Sequence, residues 1–443
     1  MVSKKKLRVL QLAAVIFLTV SGGPYGLEPL LGYAGKNGAL LLLMITPLLW
    51  DVPTIFVVLE LNGMMPVTGG YYQWVKRALG MRFAFYEGWW TWMYTFVDLA
   101  IYPVLFVEYL SFFFPQIEAY KIPICLAIIW MSAGLNILGI VPVGETSVYL
   151  TAVVLAPFII LFVFGFLHSG SLSIPQPSLG GIGFSSLGMG LYTVMWNFLG
   201  WDNVTTYAQE VNKPARSYFV SVTIAFLLIF GIYFLAIITA QWSGVDVNIL
   251  SNEGFPILGS ILAGQWLGAL LSIGGMASAL GLFSGVLLSV SRVPKVMADD
   301  HVLPEKLHAV HPKFKTPYVS IIGCSIIVSF MILWSFGDLL IIDVTVYGAG
   351  LFLEFVSLIV LRIRLPHEHR PFKIPLNVFG LCLMLLLPVA VFVIALSGAI
   401  SSSDKTLTPA LFALGALLSG EIIWRIIVWI KPHVETQKIK IRG

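Results

Sequence analysis

Charge is what this sequence has least of: 11% of its 443 residues are Asp, Glu, Lys or Arg, against ~25% in soluble globular chains. With 58% hydrophobic residues, water is excluded as the solvent for most of the chain, and lipid takes its place. Cysteine is scarce as well. Cys125, Cys324 and Cys382 stand far apart in apolar runs, which excludes a disulfide framework and a zinc site built on paired thiols. His301, His308, His311, His367 and His369 fall in polar connections and read as solvated. With no nucleophile–base pair and no ligand set for a metal, the sequence reads as a non-enzyme without cofactor or metal. No nucleic-acid partner is expected.

What is there is a series of apolar runs of spanning length. They fall near 7–34, 38–63, 83–113, 122–141, 146–167 and 185–211, then near 216–240, 268–296, 318–336, 340–363, 376–399 and 408–430. The fold class is therefore an all-α integral membrane protein of twelve transmembrane helices in one domain, 1–443. Residues 3–23 mimic a signal peptide, but the apolar character continues past them, so they read as the start of the first span. Lys36, Lys121 and Lys405 fall on one side of this topology and the other 23 Lys and Arg on the opposite side. By the positive-inside rule both termini are cytoplasmic, and the plasma membrane is the expected location.

Two spans carry interruptions. Ser21-Gly22-Gly23-Pro24-Tyr25-Gly26 breaks the first and Asn197-Phe198-Leu199-Gly200-Trp201-Asp202-Asn203 breaks the sixth. Pro24 lacks a donor and the glycines favour non-helical backbone. The breaks lie five spans apart, in matching positions of 7–168 and 183–364, with 376–430 left as an accessory pair. Matched broken helices point to inverted repeats around a midplane binding site.

The spans also hold acids without bases: Asp51, Glu60, Asp98, Glu108, Asp202, Glu354 and Glu421, with Glu28 just past the first break. A charged residue at a helix centre costs ~2.5–3.5 kcal/mol on insertion scales. Protonation, or a cation that is not a side chain, has to neutralise these carboxylates. Asp98 sits among Trp89, Trp90, Trp92 and Tyr94, and Asp202 between Trp196 and Trp201; an acid among aromatics suits an ammonium group. Glu60 lies near a cytoplasmic span end, where solvation is easier. Glu421 reads as structural, and Asp51, beside Pro53, as a partner for freed backbone groups.

The runs from Ser21 to Glu28, Thr68-Gly-Gly-Tyr-Tyr72, Trp196 to Asp202, Glu210-Val-Asn-Lys-Pro214 and Arg370-Pro-Phe-Lys-Ile-Pro375 resemble the amino acid–polyamine–organocation superfamily. The segments from Asp98 to Leu110 and around Leu353-Glu354-Phe355 are similar to its polyamine uptake branch. The resemblance implies a LeuT-like fold of five plus five inverted spans and two accessory spans, working by alternating access. It places Trp196 where relatives have a gating aromatic and Asp202 beside the substrate. Two departures stand out. The fifth span lacks the lysine that some amino-acid members carry, and Gly200-Trp201 resembles the L-type amino-acid members.

Together these features read as a secondary active importer of polyamines or related organic cations, coupled to protons. Gly22, Gly23, Pro24, Tyr25, Glu28, Asp98, Trp196, Trp201 and Asp202 are the expected substrate contacts. Glu60 and Asp202 are the coupling candidates, with Ser289 the candidate for a sodium alternative. An amino-acid transporter stays open as a second reading, because glycine N–H groups at Gly22, Gly23 and Gly26 remain to bind a carboxylate. A channel would place its charges in rings around an oligomeric pore, whereas these acids are scattered singly. Oligomeric state is left open.

Overall fold

The computed structural model describes residues 6–170, 176–332, 336–401 and 407–432. Of the residues behind the charge bias, Lys4, Lys5, Lys405, Lys438, Lys440 and Arg442 lie outside the described residues. The described chain is helical, with no strand beyond two isolated bridges that pair Leu7 with Val211 and Thr68 with Tyr207.

The first expected span forms as α1 (Val9–Val20), an irregular stretch, and the start of α2 (Glu28–Thr46). Gly35, at φ 62°, kinks α2 where the second expected span begins. That span continues through a π-helical turn (Pro47–Asp51) into α3 (Val52–Met64). The other elements are α4 (Gly70–Leu79), α5 (Met81–Ser111), α6 (Lys121–Leu138), α7 (Ile140–Ser169), α8 (Phe184–Asn197) and α9 (Pro214–Trp242). Then come α10 (Val247–Ala263), α11 (Gln265–Val290), α12 (Arg292–Asp299), α13 (Tyr318–Met331), α14 (Phe336–Arg364), α15 (Val378–Ile400) and α16 (Leu407–Ile430). Among the described residues, nine helical stretches are long and apolar enough to cross a membrane, α2 to α3 counting as one; α1 and α13 are shorter apolar helices.

Three elements differ from the sequence reading. The sixth span does not resume as an α-helix after its break. Beyond Asn197 the chain forms 3-10 turns at Asn203–Thr206 and Ala208–Glu210. Thr205 Oγ1 donates to the Asp202 carbonyl (2.6 Å) and Thr206 Oγ1 to that of Asn203 (2.9 Å), local bonds that compete with a helical ladder. α10 forms where a connection was expected; Gly254 (φ 70°) and Pro256 interrupt its pattern. α4 likewise forms inside a connection, burying Tyr71, Tyr72 and Trp74 on one face.

The core is built on α5 and α11. In their most apolar windows 72% and 83% of residues are buried, against 17% for α16, which marks the last helix as peripheral. Small residues let the central helices approach closely: a Cβ at Gly274 or Gly275 of α11 would fall 2.2 Å from Tyr25 Oη or 2.5 Å from the Tyr109 ring. The irregular parts of the first and sixth spans lie against this pair.

Candidate functional site

The first break holds its own donors. Gly22, Gly23 and Gly26 all have positive φ, and their N–H groups are engaged within the chain. Gly22 donates to the Phe17 carbonyl (2.9 Å), Gly23 to Ser21 Oγ (3.0 Å) and Gly26 to Glu28 Oε2 (2.6 Å). Pro24 has no N–H to offer. Glu28, at the start of α2, also accepts from Tyr109 Oη at 3.0 Å. The second break is tied to the first: Asn197 Nδ2 donates to the Gly26 carbonyl (3.2 Å), and Tyr233 Oη donates to Asn197 Oδ1 (3.2 Å).

Between the breaks, α5 and α11 lies a small cavity among buried residues. Thr19, Ser21, Asp98, Tyr102, Trp196 and Asn203 line it, and about 10 Å³ is open to a water centre, room for a single water. Asp98 accepts from Tyr102 Oη at 2.6 Å and from the Trp196 indole. Asp343 of α14 is within electrostatic range of Asp98, and neither of its oxygens has a hydrogen-bond partner among the described residues. The Trp196 ring covers Gly26; a Cβ there would lie 2.7 Å from it. Trp196 thus stands at the wall between the cavity and the first break.

Asp202 is not in this cavity. It accepts from Tyr347 Oη at 2.6 Å and lies within range of Glu87 and Glu354, both buried. Two hydrogen bonds and one ring contact link the two places. Asn203 lines the cavity and accepts from Tyr94 Oη (2.9 Å); the Tyr94 ring meets Tyr347 edge-on at 5.2 Å, and Tyr347 donates to Asp202.

Other expected residues have different surroundings. The Trp201 indole donates to Asp51 Oδ1 (3.2 Å) in the π-helical turn, so neither residue lines the cavity. Asp51 bonds a tryptophan where freed backbone was expected. Tyr25 Oη donates to the Leu271 carbonyl (2.7 Å), and its ring packs edge-on against Tyr109 and Phe158, each 5.0 Å away. Ser289 Oγ donates back to Gly285 O (3.2 Å), while its carbonyl accepts from Thr206 (3.0 Å). Glu60 requires a correction. It is fully buried rather than solvated, and Arg362 grips it with both ends of the guanidinium, Nη2 at 2.5 Å from Oε2. Arg370 Nε lies 3.2 Å from Oε1 and the Ile374 N–H 2.9 Å from Oε2. Glu60 already has resident cations, which removes it from the acids that a transported cation has to neutralise. Glu421, expected to be structural, bridges Arg82 (2.8 Å) and Arg425 (2.7 Å).

Glu87 and Asp343 are the carboxylates that the sequence reading passes over. Both are acids inside predicted spans, and their place close to a span end gives them less weight than the central Asp98. Five buried carboxylates therefore gather in two groups, Asp98 with Asp343 and Asp202 with Glu87 and Glu354. None is in an ion pair with Lys or Arg among the described residues; the ion pairs that include a buried residue lie elsewhere, at Glu60 and at Arg292–Glu210.

The amino acid permease family model matches residues 7–416. The chain belongs to this family. As a permease it is a membrane transporter and not an enzyme. Polyamine transporter RMV1 of Arabidopsis thaliana is 30% identical over 425 residues, covering 95% of this chain and 84% of the relative. Polyamine transporter PUT1 of rice, Oryza sativa subsp. japonica, is 30% identical over 427 residues, covering 95% and 78%. The serine/threonine exchanger SteT of Bacillus subtilis is 24% identical over 397 residues, covering 85% and 87%.

Proposed function

We propose that this permease imports polyamines or closely related organic cations by alternating access, driven by protons. The observation that carries this reading is the pairing of two facts: buried carboxylates without bases, and a first break whose glycine donors are already taken. Buried charges need a partner. An ammonium group of the substrate at Asp98 and Asp343, and a proton at Asp202, Glu87 and Glu354, would supply one at each group. The polyamine transporters among its relatives favour the same substrate class.

An amino-acid substrate would need free N–H donors for its carboxylate at the first break. Glu28 already occupies the Gly26 donor with a carboxylate of the chain's own and adds a negative charge beside it. The exchanger among the relatives supports the amino-acid reading, and this occupied donor weighs against it.

In this reading the permease is a twelve-span, LeuT-like protein with 7–168 and 183–364 as inverted repeats and 376–430 as accessory helices, in the plasma membrane with both termini cytoplasmic. At the Lys/Arg-rich end the two broken spans are tied together. Leu7 and the segment after the second break exchange backbone hydrogen bonds (Leu7 N–H to Glu210 O, 3.1 Å; Asn212 N–H to Leu7 O, 3.2 Å), and buried Arg292 binds Glu210 at 3.0 Å. The central cavity has room for a single water, so a substrate enters it only when these contacts or those around the first break rearrange, and that rearrangement is what alternating access asks for. Counterflow in proteoliposomes tests the proposal. Labelled diamine should accumulate against internal unlabelled diamine and be displaced by longer polyamines. Accumulation driven only by a neutral amino acid would replace the polyamine reading with the amino-acid one.

A further inference from the structure

A second cavity, of about 450 Å³, opens at the Lys/Arg-poor end between α2, α5, α10 and α11. Four carboxylates line it: Glu28, Glu108, Glu118 and Glu253. They descend from the exposed rim, where Glu108 and Glu253 stand, to Glu28 on the buried floor. Among the described residues, Lys121 pairs with Glu118 at 3.1 Å. Glu108 and Glu253 have no ion-pair partner among the described residues. On the α11 wall, Ser272 is fully buried and lines the cavity, yet its Oγ has no hydrogen-bond partner among the described residues. An acceptor left open on a wall of this charge suits a donor from a cationic ligand.

We propose that this vestibule is a separate binding site for a polyammonium chain, taken up before the substrate reaches Asp98. The inference rests on reading the substrate as a polyamine and adds a site to it. A cleft lined by one sign of charge with low-dielectric walls concentrates counter-ions. The carboxylates come from separate elements, and no set of three acidic, His or Cys side chains among the described residues is grouped closely enough for a metal ion. Spread acids match ammonium groups separated by methylenes, and Leu105, Phe112 and Pro256 supply apolar wall between them. Gly26 and the Trp196 ring that covers it separate this floor from the central cavity.

Calorimetric titration of the full chain in nanodiscs with spermidine tests this. The wild type should titrate in two phases. The double variant Glu108→Gln/Glu253→Gln should weaken one phase about tenfold and leave the other, while Asp98→Asn should do the reverse. Ser272→Ala should weaken the same phase as the double variant. A double variant that titrates like wild type overturns the vestibule and leaves the central site standing. Loss of all binding in the double variant, with Asp98→Asn unchanged, keeps the vestibule and removes the central site. Magnesium displacing spermidine from the vestibule phase at equal concentration overturns the polyammonium assignment, and no binding in the wild type overturns both sites.

Discussion

The backbone N–H of Gly26 donates to the carboxylate of Glu28 at 2.6 Å. Two residues apart in sequence, they close a loop in which the permease fills its own carboxylate-binding position. The same contact places a negative charge on the floor of the vestibule and takes a donor away from any zwitterionic substrate.

Replacing Glu28 with Ala frees the Gly26 donor and deletes the charge. Diamine affinity should fall about ten- to hundredfold, the equivalent of a lost charge-assisted hydrogen bond of ~1.5–3 kcal/mol. Affinity for a neutral amino acid should rise in the same variant. Equilibrium binding of both ligands reads the two changes side by side; a fall in both would mean that Glu28 only holds the break together.

Glu60 should behave as a structural residue. Removing one member of a buried, hydrogen-bonded ion pair costs ~3–5 kcal/mol, so Glu60→Ala should lose much of its thermal stability by leaving Arg362 and Arg370 unpaired. The fraction that remains folded should keep the proton dependence of uptake. A stable Glu60→Ala protein with uptake uncoupled from the proton gradient would return Glu60 to the coupling machinery.

Asp202 should separate coupling from exchange. Asn at this position keeps the acceptor for Tyr347 but cannot bind a proton. Uptake driven by a proton gradient should be lost, and counterflow exchange of diamine, which needs no net proton movement, should persist. Wild-type uptake that ignores a proton ionophore and requires sodium would instead direct attention to Ser289 and the segment against it.

The exposed residues Lys213 and Lys306 should be cytoplasmic. Single cysteines at either position should react with an impermeant maleimide only after the membrane is opened. Labelling of both in intact cells would invert the topology.

Nine stretches long and apolar enough to span, among the described residues, were legible because lipid demands long apolar runs, and the breaks because Gly and Pro have local backbone consequences. α10 and α4 were not, since Gly254 and Pro256 mask one and the other is short and amphipathic. The acids were readable as a class but not as a set. Only the fold shows that α14 delivers Arg362 to Glu60, that Asp202 lies within electrostatic range of Glu87 and Glu354, and that Asp98 lies within range of Asp343. Trp201 and Tyr25 lie in the signature segments, yet packing turns one toward Asp51 and the other toward Leu271. A side chain's direction at an irregular break depends on neighbours distant in sequence.

The central claim is that Asp98 and Asp343 bind an ammonium group of the substrate. The most direct measurement is affinity for a linear diamine and for its monoamine analogue of equal length, in wild type, Asp98→Asn and Asp343→Asn, with thermal stability monitored in each. The account predicts stable variants in which diamine affinity falls about ten- to hundredfold, while the monoamine, weaker from the outset, loses the same contact when it binds by that end. Stable variants that bind the diamine as the wild type does would contradict it.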